Sequence, residues 1–464
     1  MNPERHYTVR VQEDDLAAKM RKTGADLTRG TEETGSPVTP YGLRAWISVI
    51  TLGFVGQLAW TIENMYLNVF VYNTITENPD VIAALVASSA IAATLAALFM
   101  GALSDRVGRR KPFIVIGYIL WGLTTAAFGL IRVGVVPGHS PTAQAVMLAI
   151  IAVIVLDCIM SIFGATANDA AFNAWVTDTT DPTNRGRVDG VLAVMPLLSM
   201  LVVFGLLDGL TQDGRWGTFF TLVGGIIVLI GIAAIFFVKE SHPTPQKDKH
   251  YIQDVLYGLR PTTFRQYPRL YWLLTAASII GIGSQVFIPY LIIYMQAFLR
   301  LDTYPIILAV VLTLASVASV LGGRLIDRFG KLNVILPAAF TMIVGLVAMF
   351  FVRDMVGVML AGTIMMSGFL ISTAAIAASI RDVTPASRVG MVQGLRMIFV
   401  VLIPMVVGPF IGARVISNAN ETYEELGVLK QVPTPWIFIA GAVVVLFVVI
   451  PVVRLYRMAK VSAK

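Results

Sequence analysis

The sequence predicts an all-α membrane protein, with twelve transmembrane helices in two pseudo-symmetric six-helix bundles and both termini cytoplasmic. Three observations predict it. Apolar residues make up 56% of the 464 and charged residues only 14%, where soluble domains carry roughly 25% charged residues. Stretches close to the ~20 apolar residues that cross the hydrocarbon recur along the whole chain. A Gly–Asp–Arg–Gly pattern also appears twice, at matching places in the two halves. The bilayer therefore supplies the solvent for most of the chain.

The spans follow from hydropathy in chain order. The first, 46–72, carries Glu63 as its one charge, and the second, 81–103, carries none. The third, 113–131, opens after the basic run Arg109-Arg110-Lys111 with Pro112 at its start. The fourth, 143–174, exceeds the bilayer and should project into the cytosol. Spans 188–207 and 218–238 complete the first half, the latter without a single charge. The second half reads as 270–295, 304–325, 334–352, 356–380, 391–415 and 436–455. Residues 1–43 read as a polar, partly disordered tail and 44–238 as the first bundle. Residues 239–269 read as a cytoplasmic linker with an amphipathic piece at 251–259, 270–455 as the second bundle, and 456–464 as a short tail.

Orientation follows from the basic residues. With both termini in the cytosol, only Arg132, Arg215, Arg300, Arg353, Arg414 and Lys430 of the 35 Lys and Arg fall outside. Cytoplasmic loops carry such an excess, which also accounts for the net charge of +7 without nucleic acid. The single cysteine, Cys158, excludes an internal disulfide or a Cys-rich metal site and reads as packing. His6, His139, His242 and His250 lie outside the spans, so no histidine relay is expected. No metal-ligand spacing, phosphate loop or Ser/His/Asp arrangement is present, so the expectation is not an enzyme, with no cofactor.

The halves repeat. Gly101, Leu103, Asp105, Arg106 and Gly108 match Gly323, Leu325, Asp327, Arg328 and Gly330 at one offset of 222 residues, and Arg109 matches Lys331 in charge. After the fourth and tenth spans, Asp178 and Thr180 match Asp382 and Thr384, and Gly186 and Gly190 match Gly390 and Gly394. The stretch from Gly101 to Lys111 resembles the signature loop of the major facilitator superfamily. That resemblance implies the major facilitator fold, a substrate site between the halves, and a cytoplasmic gate. Gly101, Asp105, Arg106, Gly108, Arg109, Asp178, Arg185, Asp327, Arg328 and Arg388 are its candidate members. By the same resemblance, Asp105 would face the start of the eleventh span near Met391, and Asp327 the start of the fifth near Val188. A helix N-terminus favours such a carboxylate.

Two further stretches are similar to the glycoside–pentoside–hexuronide cation symporters and sucrose-type carriers. Gly108-Arg-Arg-Lys-Pro-Phe-Ile114 resembles the sucrose carriers' Gly-Arg-Arg-Arg-Pro-Phe-Ile. The run from Asn168 through Thr180, then Arg185, resembles the end of the fourth helix in melibiose-permease-like proteins, and places Asp169 at that family's cation-site carboxylate. Ala171 stands where the family has Pro. Ala93 and Ala97 stand where sodium-using members carry an Asp pair. That departure points away from sodium, to a proton as coupling ion or to no coupling.

Charges inside a bilayer are costly and point to function. Glu63, Asp157 and Asp169 are the candidate coupling residues, since a carboxyl in a dry site can exchange a proton. Gln57, Trp60, Asn64, Asn68, Asn168, Gln285 and Tyr290 are candidate substrate-binding residues, because amides exchange hydrogen bonds with hydroxyls and aromatic faces stack on sugar rings. The alternative for each amide is helix–helix glue. Arg396 suits a gate or topogenic role, or a pairing with Asp178 or a substrate carboxylate. Pro196, Pro289, Pro404 and Pro409 interrupt their helices. The expected function is proton-coupled import of a sugar or glycoside by alternating access; the alternative is a proton-antiporting exporter of a drug or metabolite. The expected partners are a small-molecule substrate and the lipid bilayer, with no nucleic acid, and the protein is expected to act as a monomer. It should lie multi-pass in the cell membrane, the inner membrane in a Gram-negative bacterium.

Overall fold

The computed structural model describes residues 41–131, 142–181, 184–240, 256–385, 388–419, 421–425 and 428–462. Residues 1–40 of the expected tail and 251–255 of the expected amphipathic piece lie outside them. Twelve helices are long and apolar enough to cross a membrane: α1 Leu43–Thr74, α2 Pro79–Val107, α3 Lys111–Leu130, α4 Ala143–Thr179, α5 Arg185–Gln212, α6 Trp216–Phe237, α7 Pro268–Phe298, α8 Tyr304–Ile326, α9 Lys331–Phe351, α10 Met355–Val383, α11 Gly390–Ala419 and α12 Trp436–Lys460. Each contains its expected span, give or take two residues at an end. The ends run further because caps set them. Asn78 accepts from the Asp80 N–H ahead of Pro79, and Asp354 caps α10 on the Gly357 N–H. Gly108 closes α2 at φ 66°, a left-handed turn that favours glycine.

Two features were not expected. A short antiparallel hairpin, β1 Thr422–Glu425 with β2 Val428–Gln431, joins α11 to α12. Chain expected as a C-terminal tail from 456 continues in helix through Ser462.

Several helices widen into π-turns: Ile62–Tyr66 in α1, Ala165–Phe172 in α4, Val203–Leu207 in α5, Tyr294–Phe298 in α7 and Met397–Leu402 in α11. Such turns cluster at functional sites. The first two contain Glu63 and Asp169, and the third immediately precedes Asp208.

Within the bundles, small residues let backbones approach. A Cβ on Gly345 of α9 would strike the backbone of Met365 on α10, and one on Gly368 of α10 would strike that of Met342 on α9. Between the bundles, α1 meets α7 over 62–74, α2 meets α7 and the 397–419 part of α11, and α5 meets α8. We call the side bearing Leu43, Val107 and Lys111 the basic face, and the opposite side, bearing Thr74, Pro79 and Tyr304, the far face.

Candidate functional site

Two polar clusters lie inside the first bundle. In the first, Glu63 and Asp157 are 6% and 1% exposed. Ser161 Oγ donates to Glu63 Oε1 at 2.7 Å. Asp157 stands one turn before Ser161 on α4 and lies near Ser89 of α2, whose hydroxyl donates to Val86 O at 3.2 Å. Glu63 Oε2 and Asp157 Oδ1 meet no hydrogen-bond partner among the described residues. No described Lys or Arg forms an ion pair with either. A buried acid pair without a cation is costly when doubly charged, and a proton relieves that cost.

In the second cluster, Asn168 Nδ2 donates to Asp169 Oδ1 at 3.0 Å, and Tyr118 OH donates to Asn168 Oδ1 at 3.2 Å and to Leu52 O at 2.8 Å. Trp60 lies close to Asp169. Gly56 makes room: a Cβ there would crowd Asn168 and Tyr118. Trp60 and Trp121 pack with ring centroids 5.2 Å apart. Trp121 lies against Gly164, where a Cβ would come within 2.7 Å of its ring. The indole pair thus sits between the two clusters, and both acids of α4 lie within electrostatic reach of Glu63.

The remaining binding candidates divide. Gln57 on α1 and Gln285 on α7 are partly exposed. Asn64 Nδ2 donates to Trp60 O at 2.8 Å and Asn68 Nδ2 to Asn64 O at 2.9 Å, so both amide groups bond their own helix. Asn68 is fully buried. Tyr290 is also fully buried, and its hydroxyl is shared between Pro79 O at 3.1 Å and Pro409 O at 3.0 Å. It thereby closes the far face.

That far-face closure has a polar centre that hydropathy hid. Asp208, 1% exposed, accepts at Oδ1 from Tyr66 of α1 at 2.7 Å and from Tyr304 of α8 at 2.5 Å; Gln212 Nε2 lies 2.5 Å from Oδ2. One carboxyl thus ties the two bundles together. The fifth span was expected to end at Leu207, which put Asp208 in a loop. Tyr72 OH adds a bond to Gln431 O at 2.8 Å. On the membrane side of these contacts lies an apolar cavity of about 90 Å³, walled in part by Met65, Met200, Met295, Met349, Met365 and Met366 from both bundles.

On the basic face the gate candidates gather around a residue not among them. Arg110, 5% exposed, reaches Asp105 Oδ1 at 2.5 Å, Asp178 Oδ2 at 3.1 Å and Ser104 Oγ at 2.6 Å. Asp105 therefore pairs within its own bundle, where an approach to the start of α11 was expected. The second bundle repeats the link, with Lys331 Nζ 2.6 Å from both oxygens of Asp382. Arg185 bonds Thr177 O and Thr180. Arg388 lies 4.7 Å from the ring centre of Tyr257, and Arg328 lies over Phe329. Arg106 and Arg109 are exposed, Gly101 is partly buried, and Gly108 is buried. Arg396 bonds Gln393. The Asp327 side chain falls outside the description.

The family model described as Major Facilitator Superfamily matches residues 49–371 and 273–464. No curated protein matches the chain significantly. Among solved structures, the nucleoside transporter NupG superposes with a TM-score of 0.63 at 13% identity, covering 89% of this chain and 98% of its own. A bacterial homolog of the human lysosomal transporter Spinster, inward-facing and unoccupied, gives 0.64 at 16%, covering 92% and 98%. The xylose transporter XylE from E. coli, partially occluded and inward-open, gives 0.62 at 13%, covering 89% and 98%. Likeness at such identities speaks for the fold alone.

Proposed function

The chain belongs to the Major Facilitator Superfamily, and from that premise we propose that it is a secondary active transporter importing a sugar or glycoside together with a proton by alternating access. The observation that carries this reading is the buried pair Glu63 and Asp157. Ser161 holds the Glu63 carboxyl, and no described cation neutralises either acid. A proton arriving on the pair removes the cost of a second buried charge and leaves when the site opens to the other side. Ala93 and Ala97 offer no oxygen to a sodium ion.

Substrate contacts fit the second cluster. Asn168 and Gln57 of the first bundle and Gln285 of the second offer amides, and the partly exposed Trp60 offers an aromatic face, the combination a hydroxylated ring uses. Asp169 is partly exposed beside them and links the substrate wall to the coupling pair through its field on Glu63. The basic face is taken as cytoplasmic by the positive-inside rule, in a cell membrane, so the sealed far face is the outer one.

The test is uptake into liposomes carrying the purified protein. Mono- and disaccharides, glycosides and common drugs are offered with and without a pH gradient. Sugar or glycoside accumulation driven by an inward proton gradient is the expected result. Drug movement against that gradient, with no sugar uptake, would overturn import in favour of a proton-antiporting exporter.

A further inference from the structure

On the basic face of the second bundle, two adjoining cavities of about 750 and 600 Å³ share Arg269, Asp382 and Val383. Arg454 and Arg457 of α12 line the first, and Lys331 at the start of α9 lines the second. Asp382 is the only carboxylate among the described lining residues of either cavity, and Lys331 grips both its oxygens. The exposed guanidinium groups of Arg454 and Arg457 therefore face the first cavity beside a carboxylate that Lys331 already engages. The walls are tied together: Arg269 Nη2 donates to Met458 O at 3.2 Å and Tyr456 OH to Leu332 O at 3.1 Å. Behind the cations the second cavity is aliphatic, with Leu273, Ile326 and Leu455.

The first bundle treats the matching place differently. Arg44 at the start of α1 donates to Phe236 O of α6 at 2.8 Å, the counterpart of Arg269 reaching α12. There the chain supplies its own anion. Glu240 Oε1 accepts the backbone N–H of Arg110 at 2.8 Å and of Lys111 at 3.1 Å at the start of α3. In the second bundle α12 brings Arg454 and Arg457 to the corresponding region instead.

We propose that this double cavity holds the phosphate group of an anionic phospholipid from the leaflet on the basic face. Arginine forks bind phosphate oxygens in pairs, and basic pockets between membrane helices suit such headgroups. Free phosphate shares that chemistry. The aliphatic wall and the interfacial tyrosines Tyr267 and Tyr456 favour a ligand with acyl chains over the soluble ion.

The experiment measures lipid retention on the full-length protein by native mass spectrometry after delipidation. It titrates phosphatidylglycerol, phosphatidylcholine and inorganic phosphate separately. Phosphatidylglycerol should bind wild type in preference to phosphatidylcholine and lose about fivefold in affinity for each of Arg454→Gln and Arg457→Gln. The Arg454→Lys/Arg457→Lys pair should hold most of it, which separates lost charge from misfolding. Arg187→Gln and Arg265→Gln, exposed cations elsewhere on the same face, should change nothing. Equal retention by wild type and the double Gln variant, or an equal loss in the Arg187 and Arg265 controls, overturns the site. Displacement of the lipid by equimolar inorganic phosphate overturns the lipid as its occupant.

Discussion

At the scale of single residues, the proposed coupling rests on where carboxyls meet partners. Glu63→Gln keeps a hydrogen-bond acceptor for Ser161 and removes the titrating group. It should leave downhill exchange within about threefold and abolish accumulation driven by a pH gradient; accumulation at the wild-type level would remove Glu63 from coupling. Asp157→Asn should behave alike, because the two share one patch of field. The places of Glu63, Asp157 and Asp169 inside the spans were legible in the sequence, because a charge stands out in an apolar run. Asp208 was not. It follows the last apolar residue of its span, and only the fold shows that a π-turn carries the helix on and buries it. Arg110 was legible as part of a signature but not as its centre. A run of basic residues satisfies topology equally well whichever of them turns inward.

At the scale of elements, the basic-face link joins the start of a helix to the end of the next, Arg110 to Asp178 and Lys331 to Asp382. Breaking a buried ion pair by removing one partner costs about 3–5 kcal/mol. Asp105 and Asp178 keep 39% and 23% side-chain exposure, so Arg110→Ala should cost less, about 2 kcal/mol. Thermal unfolding in detergent reads this, against Lys331→Ala, whose exposed pair should cost under about 1 kcal/mol. Equal melting temperatures for the two variants would mean Arg110 is not the stronger link. Span existence and order were legible throughout, since hydrophobic length needs no tertiary partner. Helix ends were not, because caps such as Asn78 and Asp354 act beyond the apolar run. The hairpin after α11 was missed because its short polar strands carry no hydropathy signal.

At the scale of the whole molecule, the bundles close against each other on the far face through Asp208, Tyr66, Tyr304, Tyr290 and Tyr72. Opening that face must separate Tyr304 from Asp208. Tyr304→Phe removes one donor from that carboxyl. It should raise the rate at which an impermeant maleimide, added at the far face, labels a cysteine placed at Met65 in a Cys158→Ala background, by about tenfold. An unchanged rate would show that the bond does not hold the bundles together. The repeat itself was visible in the sequence at Asp105 and Asp327. Which face is sealed was not, because a single sequence serves every state of the cycle and its periodicity is the same in each.

The π-turns have a consequence for how such a protein can change. Each widened segment holds at least one residue beyond what a regular α-helix would place there. Loss of a single codon within 62–66, 165–172 or 203–207 would therefore leave a continuous helix that still crosses the bilayer. The helix beyond the deletion would keep its facing, because the residue lost is the one the wide turn holds in excess. The same deletion in a regular stretch rotates the helix with no slack to absorb it. The segments beside Glu63, Asp169 and Asp208 are thus where this lineage could shorten a helix by one residue in one genetic step while keeping its topology.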